Sequence, residues 1–152
     1  MTCGKEFGTG SCVCNVLKNI ARAQSDIVDS NKCLTSCDRS ISDLLGETEV
    51  RNHLNTVPVM LYCSSTCQPF KGYGAHPHSI GNIESSFYFR VKNVDDNCCA
   101  VIELLRDPND SIANPHDPCE QYTKELRTTG ICMTVDLKAF SHVTCLPAIA
   151  AF

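Results

Sequence analysis

The sequence predicts a mainly β fold, a small antiparallel β-sandwich or barrel-like domain with one N-terminal amphipathic helix, and three observations carry that prediction. Apolar residues recur at helical spacing only near the N-terminus. After residue 56 they alternate with polar ones or run in short apolar blocks. Gly, Pro, Asp and Asn separate those blocks at short intervals. At 152 residues the chain is the size of a single domain with a real core. The expected organisation is a flexible arm over 1–10 and one domain over 11–152, with an irregular stretch at 30–56 and a β-rich part at 57–146.

Residues 1–10 hold three glycines and no periodicity, so they read as a mobile arm carrying Cys3. Ser11 is a good N-cap. Behind it Val13, Leu17, Ile20, Ala21, Ile27 and Val28 follow one another at steps of three and four, which predicts a helix over about 11–29. Asp29, Ser30 and Asn31 end it. Residues 30–56 are polar, with a short helical turn suggested by Ile41, Leu44 and Leu45.

The period then switches to two. Val57, Val59, Leu61 and Cys63 share one face of a strand, and Pro58 stands near its start, where a missing N–H is tolerated. Ser64–Gln68 read as a turn, and Phe70–Gly74 as a return strand weakened by two glycines. Phe87, Phe89 and Val91 alternate with Ser86, Tyr88, Arg90 and Lys92, the pattern of a half-buried strand. Asp95, Asp96 and Asn97 turn the chain into Cys98–Leu105, which is apolar on both faces apart from Glu103 and reads as central. Asp107–Pro118, with its prolines and Asp-Pro steps, is a loop. A hairpin is expected from residues 119–127 and 130–137 about Thr128–Gly130, and Phe140–Leu146 closes the series as a last strand.

Composition removes several function classes. The net charge is -4, and the 13 Lys and Arg residues are scattered, so the basic footprint of nucleic-acid binding is missing. No apolar run approaches the roughly 20 residues that span a bilayer, and charges at Lys5, Glu6, Lys18, Arg22 and Asp26 leave no room for a signal peptide's apolar core. No phosphate-cradling glycine loop is present. His142 and Cys145 stand three apart, on opposite faces if the segment is extended, and no hydrolase signature surrounds them. His76-Pro77-His78 reads as a solvated loop, and Asp95 with Asp96 as turn chemistry. The expectation is a protein with neither catalytic site nor cofactor.

Cysteine is the outlier, 12 residues in the chain, a density near the roughly 8–10% seen in short disulfide scaffolds. A cysteine-rich chain with no export signal sits badly with a reducing cytosol. Paired C-x2-C knuckles, the usual mark of structural zinc, are absent, although Cys33 and Cys37 could join distant ligands in a metal-binding or redox-sensitive adaptor. Cys63 and Cys67 flank a turn and are the candidate intramolecular disulfide. Cys98 and Cys99 point to opposite faces in an extended strand, so one thiol is expected in the core with Cys63. Cys132 on a polar strand face and Cys3 on the arm are the candidates for links between molecules.

Taken in order, four segments resemble a known family. They are Ser11-Cys12-Val13-Cys14 with Cys33 and Cys37; Thr56-Val57-Pro58-Val59-Met60-Leu61-Tyr62 leading to Pro69-Phe70 and Tyr73-Gly74; Glu84-Ser85-Ser86-Phe87-Tyr88-Phe89-Arg90-Val91 leading to Asp95-Asp96 and Cys98-Cys99-Ala100; and Cys132 with Thr134-Val135-Asp136-Leu137, Phe140 and Cys145-Leu146. Over residues 11–146 this is similar to the cysteine-rich spore outer-layer proteins of Bacillus and relatives, the CotY, CotZ and ExsY type. Cys119 completes the set of family-matching cysteines whose pairing the sequence leaves open, with Cys12, Cys14, Cys33, Cys37, Cys98, Cys99 and Cys145. Ala139 and Ser141 stand where the family pattern usually has cysteine, and Cys67 where it seldom does.

The resemblance implies a structural protein that assembles with itself, as hexamers in a two-dimensional lattice, into the crust or exosporium basal layer of the spore. It implies other coat proteins as partners and disulfides that harden the sheet. Synthesis in the mother-cell cytoplasm, followed by oxidation as the spore matures, would reconcile the cysteines with the missing export signal.

Overall fold

A computed structural model describes residues 12–27, 33–47 and 53–152. The expected arm with Cys3 lies outside the described residues. The chain divides into two compact units, Met1–Cys33 and Leu34–Phe152, so the boundary falls within what the sequence reads as one domain.

In the first unit, helix α1 spans Cys12–Ile27. Its interior is rich in strong helix formers, Leu17, Lys18, Ala21, Arg22, Ala23 and Gln24, without Gly or Pro. Val13, Leu17, Ile20 and Ile27 form an apolar stripe, and all four are exposed.

The second unit starts with a helix that the sequence showed only as a turn. Helix α2 spans Cys37–Leu44, and the Ser36 hydroxyl caps it by accepting the Arg39 N–H at 3.0 Å. Asp38 lies in the first turn, where a negative charge suits the helix dipole. Gly46, at φ 75°, takes the left-handed position that stops the helix, with its N–H on the Asp43 carbonyl.

Seven strands follow: β1 Val59–Cys63, β2 Gly72–Gly74, β3 Glu84–Ser86, β4 Phe89–Val94, β5 Cys99–Arg106, β6 Arg127–Asp136 and β7 Phe140–Cys145. Five make one antiparallel sheet in the order β6-β5-β4-β1-β7, and β2 pairs with β3 in a second. The fold is mainly β, as predicted, and neither sheet closes into a barrel.

Each face of the large sheet has its own core. Val59, Leu61, Phe89, Ala100, Ile102, Leu104 and Ile131 fill one face. The chain at β2 presses on it so closely that a Cβ on Gly72 would meet Met133 Sδ at 2.7 Å, and one on Gly74 would run into Ile131. Phe70 stacks against Phe89 and Phe140 at centroid distances of 5.7 and 5.2 Å. On the opposite face Phe87, Tyr88, Leu105, Leu126 and Ala151 form the second core, with Met60, Leu146 and Ile149 at its rim. The C-terminal segment lies over this side: Ile149 pairs with Thr56, and Phe152 packs on the Arg90 guanidinium at 5.0 Å.

Three expectations are corrected. The alternating run 86–92 is not one strand. The Ser86 hydroxyl accepts the Tyr88 N–H at 2.9 Å and donates to the Leu105 carbonyl, and the Gln121 side chain takes the Phe87 N–H, so the chain steps from the small sheet to the large one. Phe87 and Tyr88 are then both buried, against the alternation. Nor is there a hairpin about Thr128–Gly130: β6 runs straight through as the partner of β5. Gly130, at φ 78°, forms a bulge with its N–H on the Glu103 carboxylate at 2.8 Å, and a glycine that reads as a turn is therefore a bulge. The strand about Phe70–Gly74 starts back along β1, with Pro69 opposite Tyr62, and then leaves it to pair with β3.

Candidate functional site: the cysteines and the sheet that displays them

One disulfide joins described residues. Cys37, at the start of α2, is bonded to Cys145, at the end of β7, across a separation of 108 residues and a Cα–Cα distance of 4.9 Å. Beside it the Ser40 hydroxyl donates to the Leu146 carbonyl at 2.7 Å, so α2 is held by its first turn against the outermost strand on this side. Neither partner could be identified from sequence, because only the fold brings residues so far apart together. The pairing also removes Cys37 from the suggested zinc set, since a sulfur in a disulfide is no thiolate ligand.

The bridge expected between Cys63 and Cys67 is not formed, and both are free thiols. Register explains it. Tyr62 faces Pro69, so the residue across from Cys63 is Gln68, whose carbonyl accepts the Cys63 N–H at 3.0 Å. Cys67 is one step out of register, in the left-handed region at φ 56°, and exposed.

Cys98 is likewise not in a strand. It occupies the β4–β5 turn at φ 63°, and β5 begins only at Cys99. Asp95 builds this turn by accepting the N–H groups of Asn97 and Cys99 at 2.8 and 2.9 Å, as the sequence suggested for the Asp pair. Both cysteines are exposed, so the core thiol expected from this pair does not exist, and Cys63 is only half-buried.

Cys33, Cys119 and Cys132 are also free and exposed. Cys119 lies in the loop before β6, and Cys132 in β6 opposite Glu103 of β5. Cys12 and Cys14 occupy the first turn of α1. Cys3 lies outside the described residues. The free thiols of the second unit thus stand at well-separated places: the β1–β2 turn, the β4–β5 turn, a loop and a strand at the sheet margin.

The remaining polar clusters are structural. Arg106, only 7% exposed, donates to the Ser85 and Ile112 carbonyls at 2.5 Å each and lies 3.7 Å from both Glu84 and Asp110. That places a satisfied cation at the seam of the two sheets. Glu103 accepts Gly130 N–H and pairs with Lys92 at 3.8 Å. Tyr88 donates its hydroxyl to the Pro118 carbonyl at 2.8 Å, and burial, then the neighbouring Cys119, Tyr62 and Asp117, push its pKa above the usual tyrosine value. His142 leans on Tyr62 at 5.2 Å and bonds to Ser141, while Cys145 is committed to its disulfide, so the two do not form a nucleophile and base. The His76 and His78 rings stand 5.9 Å apart in their loop, and no cluster of three metal-ligating side chains occurs among the described residues. No described helix is long and apolar enough to cross a membrane.

No curated protein and no solved structure matches the chain. A family model described as Spore coat protein Z matches residues 1–148. The match takes in α1, the disulfide-linked α2 and β7 and every strand between them, so the chain belongs to the spore coat protein Z family and is a structural protein of the spore coat.

Proposed function

We propose that this protein assembles with itself into a two-dimensional, hexameric lattice in the outer layer of the spore, and that disulfides between neighbours harden the sheet. The observation that carries the reading is the placement of the thiols. The Cys37–Cys145 bridge is internal, whereas Cys33, Cys67, Cys98, Cys99, Cys119 and Cys132 are free and exposed, spread over turns, a loop and a strand. Free cysteine is ordinarily among the most buried residue types, so exposed thiols in such numbers fit links to other molecules better than packing. Non-covalent contacts would set the lattice, and thiol–disulfide exchange would then join neighbours already in register. Cys3, outside the described residues, is proposed as a further candidate for reaching a neighbour. Other coat proteins would dock on the sheet, and synthesis in the mother-cell cytoplasm would keep the thiols reduced until assembly.

The test is electron microscopy of the purified protein, with a non-reducing gel of the same sample, before and after reductant. Ordered sheets and a ladder of reductant-sensitive bands are expected. Dispersed monomers under both conditions, with stoichiometric zinc, would overturn the lattice in favour of a metal-binding adaptor.

A further inference from the structure

Helix α2 stands apart from both cores. No residue of it belongs to either, and the one residue it buries is the polar Ser40. Ile41, and Leu45 one turn later, face solvent at 49% and 66% exposure. The apolar burial that steadies most helices of globular proteins is slight here. Among the described residues, two links tie α2 to the sheet: the Cys37–Cys145 bond and the Ser40 hydroxyl on the Leu146 carbonyl at 2.7 Å. Both act at one corner, the end of β7. The Arg39–Asp43 pair, at 3.1 Å, runs along the helix and does not reach the sheet.

Relative magnitudes decide what keeps the helix in place. Its 8 residues fall short of the roughly 12–15 at which a helix persists in water, so α2 unwinds once it leaves the sheet. A single hydrogen bond, exchanged on release for one to water, nets too little to offset the ordering of that much backbone. The covalent bond changes the balance, because it keeps Ser40 beside Leu146 and leaves the chain little freedom to gain by detaching. The sheet has no matching need of α2. Both cores are filled by residues from 57 onward, and the strands pair without the helix. Cys37 and Cys145 are both half-buried, so their sulfurs lie within reach of a small thiol.

We propose that α2 is a redox-operated latch on the margin of the large sheet: it docks against β7 while Cys37 and Cys145 are bonded and unwinds from it when they are reduced, with the sheet and both cores left standing. Among the described residues β7 is an outermost strand and pairs on one side only, with β1. Opening the latch therefore bares the end of a free strand edge, and closing it covers that end again. The closing step takes a small disulfide such as oxidised glutathione. The Cys145 thiolate attacks it and releases one reduced glutathione; the Cys37 thiolate then attacks the mixed disulfide on Cys145 and releases the second. Two thiols are oxidised and one disulfide is reduced to two thiols. Opening is the reverse and consumes two small thiols. The latch does not depend on self-assembly. Under the synthesis proposed above it is open in the mother-cell cytoplasm and closes as the spore surface is oxidised.

The test is hydrogen exchange read by mass spectrometry on the full chain: oxidised, reduced with dithiothreitol, and reoxidised with oxidised glutathione. Trypsin gives a second readout, since Arg39 is a cleavage point inside the helix. Reductant also opens the disulfide that holds Cys12, so the double variant Cys37→Ser with Cys145→Ser is compared in the absence of reductant. In reduced wild type and in the variant, α2 amides should exchange about tenfold or more faster than in the oxidised protein, while β5 amides stay protected. Both samples should also be cut after Arg39. Reoxidation should restore the protection of α2 in wild type and leave the variant unchanged. An α2 that stays protected without the bridge overturns the latch, because Ser40 then suffices to hold it. Loss of protection in α2 and β5 together overturns it too, because the sheet then depends on the bridge. A wild type that does not regain protection on reoxidation overturns the reversible switch.

Discussion

Single residues set several features that their type alone does not announce. Gly130 and Cys98 both adopt positive φ, one to bulge a strand and the other to turn between two, and the cysteine bears a conformation that glycine takes more readily. Tyr88 shows what burial does to an ionisable group. Its phenol is neutral, packed in the second core, and its hydroxyl is held by Pro118. Because the folded-state pKa is raised above the unfolded one, the folded protein holds this proton more tightly. The corresponding stability is fully present below the ordinary tyrosine pKa of about 10 and is lost as pH rises through that value toward the folded pKa. An absorbance titration should therefore show one of the 4 tyrosines ionising late, and Tyr88→Phe should remove that late component. A late component that survives the substitution would contradict the assignment.

Among the elements, α2 and β7 act as a pair. The helix is 8 residues long, below the length at which a helix holds in water by itself, so its capping residue and its covalent tie carry much of its order. The Cys37–Cys145 bridge closes a loop of about the length for which chain-entropy estimates give roughly 4–5 kcal/mol, although measured values are commonly smaller. Replacing both residues, Cys37→Ser with Cys145→Ser, should lower unfolding stability by about 2–4 kcal/mol in a denaturant titration. Hydrogen exchange at β7 should quicken in the same variant, because its guard is loosened. An unchanged midpoint would show that Ser40 and the packing of α2 suffice. The break between β3 and β4 is a second such device: a serine and a glutamine turn one apparent strand into two and bring Phe87 and Tyr88 into the second core.

For the whole molecule, every buried residue of both cores lies in Leu34–Phe152, as does the described disulfide. A chain beginning at residue 34 should therefore fold alone, with one cooperative unfolding transition and the Cys37–Cys145 bond in tryptic peptides. A molten, non-cooperative product would show that the first 33 residues are needed for the fold. Among the described residues of this unit one disulfide stabilises the monomer, whereas the exposed thiols add nothing covalent to it. Its cysteine content acquires physical meaning when copies meet, which is how the proposed lattice uses it.

Much of this protein was legible in the sequence. Helical spacing around Leu17 and Ile20 located α1, period-two alternation located β1, Asp95–Asn97 located a turn, and the ordered segments from Cys12 to Leu146 pointed to the spore coat family. These are local signals, carried by residues a few positions apart. Long-range partners left no such mark. That Cys37 meets Cys145, that Cys63 faces Gln68 instead of Cys67, that Gly130 bulges a continuous strand, and that Phe87 turns inward were decided by register, by how the two sheets stack, and by which buried polar groups needed partners. A pattern in sequence reports what a segment can bury, whereas only the tertiary structure determines which distant surface it is buried against and which thiols are left facing out.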